Sequence, residues 1–159
     1  MAYAEVSVES ALTAIGQVPL VLREAVAAVS RDAIRQRPAP GRWSVTEYVC
    51  HLRDVYVAYT VRVHRARVED RPILEPMLND LRARRFRYNE RDLPAVVEEL
   101  GPTVSGCAEE IGRVRSHDWS RLVVRLPGEE RSLLWLVRQA MHEGLHHLGD
   151  IRRLGEELK

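Results

Sequence analysis

Residues 132–157 read SLLWLVRQAMHEGLHHLGDIRRLGEE, and the fold follows from how that stretch is patterned. Leu133, Leu136, Ala140, Ile151 and Leu154 recur at spacings that place side chains on one face of an α-helix. Ser132, just before them, is of the type that caps a helix, its hydroxyl accepting from an amide of the first turn. The pattern predicts a helix over 133–157, apolar on one side and polar on the other. Such a helix must bury its stripe against other elements.

The rest of the chain supplies helical partners. Val8, Leu12, Ile15, Leu20, Leu22, Val26 and Val29 repeat at helical spacing over residues 6–30, with Pro19 expected to kink the segment. Arg37-Pro38-Ala39-Pro40-Gly41 reads as an extended turn, because a residue before proline is pushed out of the helical region. Ser44 and Glu47 form a capping box that opens a second helix over 45–68. Pro72 and Pro76 break the chain after it, and an arginine-rich piece around Leu78 to Phe86 leads to Asp92. Asp92 is an N-cap candidate for a third long segment, 93–115, which Gly101-Pro102 is expected to kink or split. Leu122-Val123-Val124, between Ser116-His117-Asp118 and Leu126-Pro127-Gly128, reads as irregular rather than as a strand. Four helices of about 20 residues without strand pairing predict an all-α fold, an antiparallel four-helix bundle forming one domain across 1–159.

A chain of 159 residues suits one domain that buries about 70% of its unfolded surface. With 45% apolar and 30% charged residues, 9 Gly and 8 Pro, disordered, collagen-like and low-complexity classes are excluded. The 24 Lys plus Arg stand against 23 Asp plus Glu, a net charge of +1 that gives no electrostatic footprint for nucleic acid or an anionic membrane. Cys50 and Cys107 are too few for a disulfide scaffold and read as reduced thiols. Met1–Val6 has no basic region leading into an apolar run, and no stretch approaches the roughly 18 apolar residues that span a bilayer. The expected location is the cytoplasm.

Three of the six histidines fall between Met141 and Asp150. Residues four apart share a helix face, so two pairs are candidates to chelate a metal: His142 with His146, and Glu143 with His147. The apolar stripe separates them. At about 100° per residue, measured from Glu143, the stripe falls at roughly 20° to 80° and His147 at roughly 40°. His142 and His146 fall at roughly −100° and −60°, with Gln139, Arg153 and Glu157 on the polar side. Glu143 and His147 therefore point inward, and His142 and His146 toward the rim.

The second helix offers a third inward group, His51, at the edge of the stripe Val45, Tyr48, Leu52, Val55 and Tyr59. His51, Glu143 and His147 make three N/O ligands and leave a position open, the arrangement of a catalytic site for zinc or a similar divalent ion. Glu47, one turn before His51, and Asp150, close to His147, are candidates for orienting the imidazoles, Glu47 in competition with its cap. His146 is the candidate for proton transfer at the rim; His64 and His117 receive no role. His142-Glu143-x-x-His146 also matches the zincin pattern H-E-x-x-H. Only 12 residues follow His147, too few for another long ligand-bearing segment, and the two histidines lie on the polar side, so a metalloprotease ranks last.

Two motifs carry a family resemblance: Trp43-Ser44-x-x-Glu47-x-x-x-His51-Leu52-x-Asp54 and Glu143-x-x-x-His147-x-x-Asp150-Ile151. In this order and at this separation they resemble the DinB-like (YfiT-like) superfamily over residues 10–156, which includes the mycothiol-dependent maleylpyruvate isomerases. The resemblance implies a four-helix bundle, often a homodimer, binding zinc or nickel at the positions that His51 and His147 match. Many members have a third histidine where this chain has Glu143; the maleylpyruvate isomerase branch is similar to this chain in having glutamate there. A carboxylate makes such a site harder. The activity implied is transfer of a low-molecular-weight thiol to a small electrophile, or metal-assisted hydrolysis. The alternative is a non-catalytic metal-binding or stress-related interaction protein on the same bundle.

Overall fold

The structure, a computed structural model, describes residues 3–158. Four long helices dominate it: α1 (Val8–Ala27), α2 (Val45–Val68), α4 (Leu93–Gly112) and α5 (Leu133–Glu157), with a short α3 (Asn79–Arg85) between α2 and α4. Three of the four start on a serine cap. Ser7 accepts from the Ser10 amide at 3.1 Å and Ser132 from that of Trp135 at 3.1 Å. At α2 the capping box is complete, the Ser44 hydroxyl accepting from the Glu47 amide and the Glu47 carboxylate from the Ser44 amide. Asp92 does stand at the N-cap of α4, but its side chain accepts no cap hydrogen bond.

Neither interior proline breaks its helix. α1 runs through Pro19 and α4 through Pro102 as single elements, so the expected split at Gly101-Pro102 does not occur. Pro102 removes one amide donor, and the carbonyl it frees is that of Glu98, an exposed residue of α4.

The expected four-helix bundle forms, with a particular topology. α2 packs on α4 and α5, and α1 packs on α5 and α4, so α1 lies diagonally across from α2, and α4 from α5. The ion pairs Arg53–Glu99 and Arg67–Glu110 join like ends of α2 and α4, which run parallel. α1 and α5 are parallel as well: Arg138 of α5 donates to the Val6 carbonyl at one end, and Gly155 meets Val29 at the other. α2 and α5 run antiparallel, His51 facing His147 and Tyr56 facing Gly144. The parallel α2–α4 pair requires a long return connection. That connection, residues 69–92, contains α3.

A hairpin joins α4 to α5, where the sequence reads as irregular. β1 (Leu122–Leu126) pairs antiparallel with β2 (Glu129–Ser132), with Gly128 at φ +77° in the turn and an irregular register between Val124 and Leu126. β2 reads Glu-Glu-Arg-Ser, without the β-branched alternation that marks a strand. Its pairing is imposed by the turn and by the fully buried Val123. The Val124 amide also donates to the Pro72 carbonyl at 3.0 Å and its carbonyl accepts from the Leu74 amide at 2.8 Å, which lays residues 72–74 beside the hairpin. Leu22, Leu52, Leu100, Leu136, Ile151 and Leu154 are among the fully buried residues of the core.

Candidate metal centre

The stripe read from the last helix is the buried one: Leu133, Leu136, Ala140, Ile151 and Leu154 are all at or below 1% exposure. That orientation turns Glu143 and His147 toward α2. His51, 2% exposed, sits there with its ring edge-on to His147, centroids 4.8 Å apart, and Trp43 packs against it at 5.0 Å. Tyr48 packs on His147 at 5.5 Å. Glu143 Oε2 stands 3.4 Å from His147 Nε2, while Glu143 Oε1 accepts from Gln139 Nε2 at 2.8 Å. One ligand atom each from His51, Glu143 and His147 lies within 4.8 Å of the other two. Two ligands about 2.1 Å from a tetrahedral ion sit about 3.4 Å apart, so the cluster is close to the spacing such an ion needs.

The donor set fits a divalent cation on a second observation. His51 Nε2 is buried and has no hydrogen-bond partner. An unpaired buried nitrogen costs about 1–3 kcal/mol, and a cation that accepts its lone pair removes that cost. Electrostatics point the same way. Burial, reinforced by the neighbouring His147, lowers the His51 pKa to about 4, so the imidazole is neutral with its lone pair available. Burial alone would push the Glu143 carboxyl up, but hydrogen bonds from His147 and Gln139 and the adjacent imidazoles hold it down at about 2. It is an anion at neutral pH.

His147 is tied at both nitrogens. Burial favours its neutral form, but its hydrogen bonds to Glu143 and Asp150 outweigh that and raise its pKa. His147 Nδ1 is 2.9 Å from Asp150 Oδ2. An ionised carboxylate only accepts, so Nδ1 is the donor, and Nε2 is left facing Glu143 and His51. Asp150, the candidate for orienting an imidazole, is the carboxylate at this nitrogen. Glu47 is engaged elsewhere: its two oxygens receive the Ser44 amide and the Arg37 guanidinium (2.9 and 2.6 Å).

The rim histidines stand apart. The His146 side chain is 51% exposed, and its Nε2 is 3.5 Å from the same Asp150 oxygen that His147 uses. It does not line the cavity described below, and its ring packs beside that of His147, centroids 5.0 Å apart. His142 stacks on His146 at 5.4 Å and packs edge-on to Tyr3. Among the described residues no third metal-ligating side chain joins His142 and His146. His146, His147 and Asp150 do converge, but Arg153 occupies the second Asp150 oxygen and places a positive charge there.

A cavity of about 230 Å³ opens beside the cluster, with His51 and Glu143 in its wall. Gln139 and Tyr59 continue the wall, and Arg62, Arg125 and Trp135 close its far end. The 74–79 segment and Leu126 of the hairpin form the opposite side. Sequence reading missed the cavity because the 74–79 segment, Arg125 and Leu126, which close it over α2 and α5, come from the connection and hairpin it left irregular. Only Gln139 carried a usable signal, standing four residues before Glu143 on the helix. Asp54, part of the quoted motif, has an architectural contact set: it accepts from Tyr88 Oη, Arg82 (2.6 Å) and Arg53 (2.9 Å), tying α2 to α3 and the turn that follows.

Fold and cluster together define a helical bundle whose α2 and α5 bring a candidate divalent-metal ligand set to a small cavity. The chain belongs to the DinB superfamily, whose family model matches residues 14–151. The uncharacterized protein YuaE of Bacillus subtilis is 21% identical over 144 residues, 82% of this chain and 88% of YuaE. Among solved structures, YfiT from Bacillus subtilis, described as a probable metal-dependent hydrolase with an unusual four-helix bundle topology, superposes with a TM-score of 0.79 at 17% identity, covering 94% of this chain and 89% of YfiT. The mycothiol-dependent maleylpyruvate isomerase gives 0.74 at 14% identity over 95% of this chain, which spans 63% of that protein's length.

Proposed function

We propose that this chain is a divalent-metal-dependent enzyme that transfers a low-molecular-weight thiol to a small electrophile. The observation that carries the reading is that His51 and Glu143 belong both to the three-ligand cluster and to the wall of a small cavity. Two imidazoles and one carboxylate suit zinc or nickel. Bound there, such an ion lowers the pKa of a thiol or water and so makes a nucleophile at neutral pH. His51, Glu143 and His147 hold the ion; Asp150 orients His147; and His146, through Asp150, links that hydrogen-bond chain to solvent. Leu74, Trp135 and Leu136 screen the cavity from water while it orients the electrophile. The mycothiol dependence of the maleylpyruvate isomerase supports a thiol as co-substrate.

Two further parts of the reading concern surroundings. The exposed row Val57, Val61 and Val68 on α2 is the surface we assign to a homodimer. A cytoplasmic location is supported by Cys50 and Cys107, both buried and unpaired; among the described residues no helix is long and apolar enough to cross a membrane.

The test is turnover of 1-chloro-2,4-dinitrobenzene with glutathione, mycothiol and cysteine as thiols, using zinc- and nickel-loaded protein and the His51→Ala variant. A carbon–sulfur bond forms and chloride leaves. Thiol-dependent turnover that vanishes in a folded His51→Ala variant is expected. Ester hydrolysis without any thiol makes the protein a hydrolase instead, and bound metal without turnover, whose removal unfolds the chain, makes it a non-catalytic metal protein.

A further inference from the structure

Arg62 is the cavity's uncommitted cation. Two arginines line the far end, and Arg125 is already paired with Glu129 at 3.0 Å and lies over the Trp135 ring. Arg62 has no carboxylate within 4.0 Å among the described residues. Its Nη2 donates to the Glu75 carbonyl at 2.7 Å and its guanidinium lies over the Tyr59 ring at 5.1 Å, so the group is positioned without being neutralised. A half-buried guanidinium with free donors, stacked on an aromatic face, is matched to a carboxylate, which it engages through two parallel hydrogen bonds.

Position then specifies the shape of the ligand. Arg62 follows His51 by eleven residues on α2, about 16 Å of helical rise. Its side chain leans back over Tyr59, toward the N-terminus of the helix and toward His51. A ligand that spans from the His51–Glu143 end to Arg62 is therefore elongated, with its anionic group on the order of 10 Å from its reacting end. The cavity, at about 230 Å³, is below the roughly 300–1,000 Å³ of drug-sized sites and suits a short chain.

We infer that Arg62 is a specificity-determining residue that selects an elongated ligand bearing a terminal carboxylate, with the other end of that ligand at the metal-ligand cluster. The inference rests on the metal-site reading for the second end only. The carboxylate belongs either to the electrophile or to the thiol, and the probes separate the anion site from the metal site.

The first measurement uses metal-free protein and hexanoate, with hexanol as the uncharged control, followed by NMR of the arginine Nε–Hε signals. Millimolar hexanoate is expected to shift the Arg62 signal, hexanol to leave it unmoved, and Arg62→Gln to abolish the hexanoate response. The second uses zinc-loaded protein and titration calorimetry with 6-mercaptohexanoate, 3-mercaptopropionate and 6-mercaptohexanol. The long acid is expected to bind at least tenfold more tightly than the alcohol and than the short acid, and Arg62→Gln is expected to erase that preference without weakening the alcohol. Hexanoate that fails to perturb Arg62, or long acid and alcohol that bind equally, overturns the inference. Retained hexanoate binding with no thiol binding by zinc-loaded protein supports the Arg62 site and removes the metal reading alone.

Discussion

His147 Nδ1 donates to Asp150 Oδ2 at 2.9 Å, three residues further along the same helix, and this one bond dictates which nitrogen of His147 faces Glu143 and His51. In the proposed metal site Asp150 would act on the ion without touching it. Asp150→Ala is expected to weaken divalent-metal affinity about 10- to 100-fold while leaving stoichiometry at saturating metal unchanged. Competition against a chromophoric chelator reads the affinity, and an unchanged value contradicts this role.

Gly144 of α5 faces Tyr56 of α2 and Val18 of α1: a Cβ there would collide with the Tyr56 hydroxyl and sit 3.0 Å from a Val18 methyl. Gly144→Ala is expected to destabilise the fold by about 1–3 kcal/mol, since a packed core resists insertion. The Tyr56 hydroxyl is buried without a partner, so Tyr56→Phe costs little or stabilises, and it is expected to recover part of the Gly144→Ala loss. Urea denaturation of the two single variants and the double variant closes the cycle; strict additivity contradicts the contact.

Asp54 gives the stability a pH dependence. Burial would raise its pKa, but hydrogen bonds from Tyr88 and Arg82 and the charge of Arg53 hold the carboxyl below the usual carboxylate range. A depressed folded-state pKa stabilises at every pH above the unfolded value of about 3.9 and is lost as pH falls through the folded one. Asp54→Asn is expected to lose about 1–3 kcal/mol at pH 7 and to flatten the fall in stability between about pH 5 and 2. Chemical denaturation across that range measures both, and a variant that tracks the wild type throughout refutes the account.

His142 separates this centre from a zincin. Its ring stacks on His146 and packs on Tyr3, away from the His51 cluster. His142→Ala is expected to bind metal with wild-type stoichiometry. Loss of the metal in that variant restores the H-E-x-x-H reading.

Val61 lies 54% exposed in the middle of the apolar row on α2. Sedimentation velocity is expected to find a dimer in the wild type and a monomer for Val61→Asp. A monomeric wild type contradicts the assignment of that surface.

Where the sequence was legible, one periodicity did the reporting. The stripe from Leu133 to Leu154 fixed the face of α5, and the same rotation angle that buried Leu136 brought Glu143 and His147 to His51. Ser44, Glu47 and Ser132 marked helix starts because capping is local chemistry. The parallel pairing of α2 with α4 was not legible, since it depends on ion pairs such as Arg67–Glu110 between segments 43 residues apart. β2 was illegible for a similar reason: Glu129–Ser132 lacks strand propensity and is held by its pairing with β1, which the 72–74 backbone flanks on its other edge. With those elements hidden, nothing in the sequence singled out Arg62.

His51, Glu143 and His147 are proposed to bind one divalent ion. Elemental analysis of tag-free protein purified without chelators, wild type against His147→Ala, tests this most directly. The account predicts near-stoichiometric zinc, nickel or another divalent ion in the wild type and its loss from a folded variant. A wild type that holds no metal even after divalent ions are added back contradicts it.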